Sequence, residues 1–78
     1  MYYVYVIRSI PFGNLYKGFC SDLENRLAEH NSGKTKSTKA FLPWKIVYYD
    51  ICDSLDEAIS RERYYKTAAG RRYLKKVI

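Results

Sequence analysis

Hydrophobic and polar positions alternate along this chain with two different periods. "YYVYVI" (2–7) is apolar on both alternating faces and rich in β-branched and aromatic residues, the pattern of a central strand covered on both sides. "LYKGFC" (15–20) is a second strand, joined to the first as a hairpin through the turn residues "PFGN" (11–14). "WKIVYYDIC" (44–52), entered after Pro43, is a third. Between strands two and three the period becomes helical. Leu23 and Leu27 mark the inner face of a helix that opens on the capping box "SDLE" (21–24) and runs to about Asn31, closed by Gly33. "GKTKSTKAF" (33–41) is a basic loop without periodicity. A second capping box, "SLDE" (54–57), opens the next helix, which Gly70 is expected to break. "RRYLKKVI" (71–78) then forms a short basic helix with Tyr73, Leu74 and Val77 on its apolar side. The expected fold is α+β, in the order ββαβαα: a three-stranded antiparallel sheet flanked by three helices, one domain over 1–78.

Against this pattern some residues are out of place. Leu55, Ala58, Ile59, Glu62 and Tyr65 share one helical stripe, and Glu62 puts a carboxylate on it. A carboxylate taken out of water costs several kcal/mol unless something compensates it. On the first helix Arg26 and His30 adjoin the inner face. Taken singly, Arg26 is a side chain whose stem lies along apolar surface, and His30 is a surface residue at a helix end. Tyr5 and Tyr16 come to opposite or diagonal positions of the hairpin, where alone they read as a packing pair. Gly18, inside a strand, marks a bulge or a close approach.

Composition narrows the partners. The net charge is +6 and the pI about 9.4, which favours a polyanion. Nine tyrosines suit a half-wet groove as well as a core. No run approaches the ~20 apolar residues of a membrane span. No secretion signal is recognisable at the start, and Cys20 and Cys52 make neither a disulfide framework nor a zinc site. The expectation is a cytoplasmic protein with two reduced, half-buried thiols. Lys34, Lys36, Lys39 and Lys45 form one basic cluster, and Arg71, Arg72, Lys75 and Lys76 another. With a glutamate, an arginine, a histidine and two tyrosines near one sheet, they suggest phosphodiester chemistry. No cluster of carboxylates exists for two metals, so a single Mg²⁺ is the economical version.

The ordered set "YVY" (3–5), "YKG" (16–18), "DLENRLAEHNSG" (22–33), "ST" (37–38), "PW" (43–44), "VYYD" and "EAISRERYYKT" (57–67) resembles the GIY-YIG nuclease superfamily. The likeness is to its small stand-alone members, which are similar to the nuclease domain of the excision-repair protein UvrC. It implies a DNA endonuclease that hydrolyses phosphodiesters with one divalent ion, Mg²⁺ or Mn²⁺, in DNA repair or recombination. It implies Glu62 as metal ligand, Tyr16 as the group that activates water and Arg26 as the phosphate-stabilising cation. Tyr5 and His30 are then supporting groups, and Gly18 keeps the sheet surface open. Lys34, Lys36, Lys39, Arg71, Arg72 and Lys75 would contact DNA, double-stranded or branched, with a separate targeting protein as a further partner. Tyr3, Lys17 and Cys20 depart from the usual motif residues, and no asparagine follows Glu62. A non-catalytic nucleic-acid-binding module on the same fold is the alternative.

Overall fold

A computed structural model describes residues 1–78. Three strands, β1 (Tyr2–Ser9), β2 (Leu15–Cys20) and β3 (Trp44–Cys52), form an antiparallel sheet in the order β2-β1-β3. Three α-helices follow the expected order: α1 (Leu23–Asn31), α2 (Leu55–Tyr65) and α3 (Ala68–Val77). A single 3₁₀ turn, Lys39–Phe41, interrupts the basic loop.

Because β1 is central, both of its faces are covered. Val4 and Val6 point to one side, where they pack with Cys52, Ala58 and Tyr65 and with Leu74 of α3. Tyr5 and Ile7 point to the other, where they meet Trp44, Leu23 and Leu27. α2 and α3 therefore cover one face and α1 the other. A bulge in β3 between the partners of Val6 and Ile7 makes this possible. The extra residue, Val47, reverses the alternation of the strand. Tyr48 and Cys52 thus face α2 and α3, while Trp44 and Ile46 face α1.

Four local expectations are corrected. The cap of α1 is Asp22, not Ser21: Asp22 is extended and its Oδ1 accepts from the Asn25 N–H at 3.1 Å. Gly70 does not end α2. That helix stops at Tyr65, and Thr67 caps α3 by accepting from the Gly70 N–H at 3.1 Å. Gly70 lies in the first turn of α3, where a Cβ would run into the Tyr64 carbonyl; the glycine permits two helices to join at a sharp corner. Cys20 is half-buried as expected, but Cys52 is wholly buried; both are free thiols. His30 is not on the surface: its side chain is fully buried against the sheet. Ser54 caps α2 as expected, accepting from the Glu57 N–H at 3.1 Å.

Candidate active site

Strand register and helix pitch together place four side chains on the α1 face. Tyr5 pairs across the hairpin with Gly18, and Tyr16 with Ile7, so the two tyrosines are diagonal neighbours on one face. Tyr5 lies directly over Gly18, where an added Cβ would sit 2.5 Å from the Tyr5 hydroxyl. Gly18 is therefore the floor on which the phenol rests. Arg26 and His30, one helical turn apart, descend from α1 onto that phenol. Arg26 Nε–H donates to the Tyr5 hydroxyl at 3.3 Å, and the hydroxyl is 2.9 Å from His30 Nε2. On the far side of the ring, His30 Nδ1 is 2.9 Å from Thr38 Oγ1, which donates onward to the Thr35 carbonyl at 3.4 Å. Tyr16 joins through its ring, edge-on to His30 at 5.2 Å and to Trp44 at 6.4 Å.

These contacts fix the direction of every proton. Arginine can only donate, so the Tyr5 oxygen accepts from Arg26 and its own O–H points to His30 Nε2. The neutral imidazole then carries its proton on Nδ1 and gives it to Thr38. Burial, and next the Arg26 charge, hold the His30 pKa below its ordinary value, which favours this neutral ring. Burial pushes the Tyr5 hydroxyl up to about 12, against the opposing pull of Arg26. Tyr5 is thus a fixed hydrogen-bond link at neutral pH and not a base. Arg26 remains 31% exposed, with Nη1 3.6 Å from Glu29, so guanidinium N–H groups still face outward.

Thr38 and the pair that holds it, Asn31 and Trp44, fall within the quoted motifs but have no role in the sequence expectations. The Trp44 indole N–H donates to the Thr38 carbonyl at 2.9 Å. The Asn31 side chain clamps Trp44 twice, donating to its carbonyl at 3.0 Å and accepting from its N–H at 2.7 Å. The "ST" and "PW" pairs carried the signal, but the hydrophobic period does not show that a threonine in an aperiodic basic loop is buried.

Glu62 stands apart from this chain. Its helix packs on the face of Val4 and Val6. It is 16% exposed and ion-paired with Lys66 at 3.2 Å, one turn on. The carboxylate on the apolar stripe is therefore compensated within its own helix. α2 packs on β1 and β2, and β2 is an edge strand. Lys17 lies there too: burial, then Arg71 and Lys66, lower its pKa. The corner of β2, α2 and α3 gathers cations around one carboxylate. No group of three or more His, Cys, Asp or Glu side chains could enclose a metal ion. A divalent ion bound in this corner would have Glu62 as its side-chain ligand and would need water and substrate oxygens for the rest of its shell.

The basic residues expected on the surface are there. Lys34, Lys36 and Lys39 are exposed on the loop after α1, and Arg71, Arg72 and Lys75 on α3. No helix is long and apolar enough to cross a membrane.

The model of the GIY-YIG catalytic domain matches residues 1–75. The chain belongs to the GIY-YIG family. Relatives support the assignment over almost the whole length. A UPF0213 protein of Staphylococcus saprophyticus is 36% identical over 75 residues, covering 95% of this chain and 90% of that protein. A UPF0213 protein of Streptococcus pyogenes serotype M3 is 42% identical over 70 residues, covering 88% and 75%. The solution NMR structure of the UPF0213 protein BH0048 from Bacillus halodurans has 29% identity and a TM-score of 0.57, covering 97% of this chain and 84% of that one. GIY-YIG domains are known as nucleases, so membership implies a nucleic acid as substrate and, typically, a divalent metal.

Proposed function

We propose that the chain is a metal-dependent endonuclease that hydrolyses DNA phosphodiesters at the β2 edge. The observation that carries this reading is the hydrogen-bond chain from Arg26 through Tyr5 and His30 to Thr38, which fixes one guanidinium and leaves donors free at the surface. A planar fork held in this way suits two phosphate oxygens. Preorganised donors of this kind act where charge develops in the transition state.

The roles follow from the environments. Arg26 binds the scissile phosphate. Tyr5 and His30 are positioning residues, since the Tyr5 hydroxyl and both ring nitrogens of His30 are already engaged within the chain. Tyr16, less deeply buried than Tyr5, receives the hydrogen bond of the attacking water. The water oxygen forms a bond to phosphorus and gives up a proton to solvent, the bond to the ester oxygen breaks, and the released oxygen takes up a proton from solvent. Glu62 would hold one Mg²⁺ or Mn²⁺ ion, with Lys66 turning away. When bound, such an ion polarises the phosphoryl oxygens and neutralises charge on the leaving oxygen. Lys34, Lys36 and Lys39 on one flank, and Arg71, Arg72 and Lys75 on the other, would track the backbone of DNA and make affinity fall with salt. Repair or recombination of branched DNA, with a targeting protein to choose the site, is a setting that suits so small a nuclease.

The test is cleavage of single-stranded, nicked and branched DNA in Mg²⁺ and in chelator. Arg26→Lys keeps the charge and loses the fork. It should bind DNA within a few-fold of wild type and cut ~10²-fold more slowly. Tyr16→Phe should fold and cut little. A wild-type protein that binds DNA but never cuts it would leave the non-catalytic binding module, a reading the Lys66–Glu62 pair favours.

A further inference from the structure

α1 covers only part of its face of the sheet. Beyond its first turn, β1 and β3 leave Tyr49 and Ile51 in the open, with Tyr3 half-buried beside them. Tyr49 is 51% exposed and Ile51 54%. Tyr3 stands edge-on to Tyr49 with ring centroids 6.2 Å apart. With Leu23, Asp22 and Glu24 they line an open recess of about 440 Å³, ample for one nucleobase. Tyr49 is the cross-strand partner of Tyr5, and Leu23 also lines the crevice that holds Tyr5 and Arg26. The recess is therefore the next position along the sheet from the guanidinium.

We propose that this recess is a stacking platform for one unpaired nucleobase, belonging to a nucleotide next to the phosphate on Arg26. The proposal rests on the nuclease reading above and names the substrate class. Charge decides which part of a nucleotide enters. Asp22 and Glu24 repel phosphate, so the backbone stays on the Arg26 side and the neutral base lies on Tyr49. Asp22 Oδ1 is engaged by the Asn25 N–H, and Asp22 Oδ2 and the Glu24 carboxylate remain as acceptors for an exocyclic amino group. A base inside a duplex has both faces covered by its neighbours, so only an unpaired base can use the platform. The preferred substrate is then single-stranded DNA, or a branch or flap that offers an unpaired nucleotide beside the cut.

The experiment measures binding in chelator, where cleavage plays no part. The probes are a short single-stranded oligonucleotide containing 2-aminopurine and its fully paired duplex, with wild type, Tyr49→Ala and Tyr49→Phe. Wild type and Tyr49→Phe should quench 2-aminopurine in the single strand. Tyr49→Ala should lose the quenching and bind the single strand about 5- to 100-fold more weakly, with duplex affinity unchanged. Unchanged single-strand binding by Tyr49→Ala would overturn the platform alone, and so would an equal loss on both probes. A wild-type dimer that Tyr49→Ala dissociates in sedimentation would assign the surface to a second copy and also overturn it. Wild type that binds neither probe would overturn the nuclease reading itself.

Discussion

The two faces of the sheet bury polar groups in opposite ways. On the α2 and α3 face, Asp50 of β3 is a hub enclosed by donors. Tyr65 donates to it through a short hydrogen bond, Tyr48 donates at 3.1 Å, and Arg61 lies at 3.6 Å. Tyr73 of α3 closes the group, with its hydroxyl 3.2 Å from that of Tyr48 and its ring stacked on Tyr65. Burial, with the Asp50 contact next, pushes the Tyr65 hydroxyl far above its usual range. Arg61 and Tyr73 lie at its solvent-exposed rim, and the network fastens two helices to one strand. On the α1 face the polar groups form a line and not a ring. The line begins in a loop carbonyl and ends in an arginine that still has donors to give. The first network converges on an acceptor, Asp50, that is already supplied with donors; the second ends on a donor, Arg26, that can still take an anion. Buried polar residues are therefore not equivalent signs of function, and what separates them is whether the network is centred on a satisfied acceptor or ends on an available donor.

The largest test of this contrast is Glu62→Gln. The pair with Lys66 spans one turn and its lysine is 55% exposed. Such pairs contribute no more than about 0.5 kcal/mol. Melting temperature in chelator should therefore barely move, while Mg²⁺-dependent cleavage falls to background and DNA binding persists. A mutant destabilised by several kcal/mol that still cuts would move Glu62 into the class of Asp50, a structural charge.

Tyr65→Phe reverses the expectation. It removes one hydroxyl from the Asp50 network and leaves the ring in place. A hydrogen bond to a charged group is typically worth about 1.5–3 kcal/mol. Chemical denaturation should show a loss of that order, with cleavage rates unchanged at a temperature where the variant is folded. A rate that fell with stability intact would mean that the two faces are coupled through β1.

The strands and their order could be read from the chain because alternation and turn residues are local. β3 was expected at 44–52 and lies there, yet its bulge was invisible, because Val47 looks like any other apolar strand residue. That bulge decides that Trp44 joins the α1 face. Arg26, His30 and Tyr5 could be picked out as oddities, but their linkage needed the loop. Thr38 reaches His30 only because the Trp44 indole and the Asn31 clamp fold residues 33–41 back onto the sheet. Glu62 was legible as a misplaced carboxylate. Its side of the sheet was not, since helical period gives the inward face of a helix and says nothing of which sheet face it covers.

The smallest effect concerns His30, and its sign can be worked out. In the folded chain the imidazole is neutral, with Nε2 accepting from Tyr5 and Nδ1 bonded to Thr38. Charging it would put a second proton on Nε2, facing an O–H that already points there. Burial and Arg26 oppose the same step, so the folded pKa lies below 6.5. In the unfolded chain the histidine titrates near its ordinary ~6.5. Below that pH the unfolded state binds the extra proton, so stability falls as pH drops through ~6.5 toward the depressed folded value and is unaffected well above it. One proton sets the steepest slope at ~1.4 kcal/mol per pH unit. His30 is the only histidine, so a slope between about pH 7 and 5.5 that His30→Gln removes is assigned to it. Urea unfolding across that window should show the slope in wild type and a flat line in His30→Gln, while the single histidine resonance in NMR keeps its neutral shift below pH 6.5. A resonance with a midpoint at 6.5 and flat stability would mean that the line from Arg26 to Thr38 is not closed in solution, and the difference between the two faces would vanish with it.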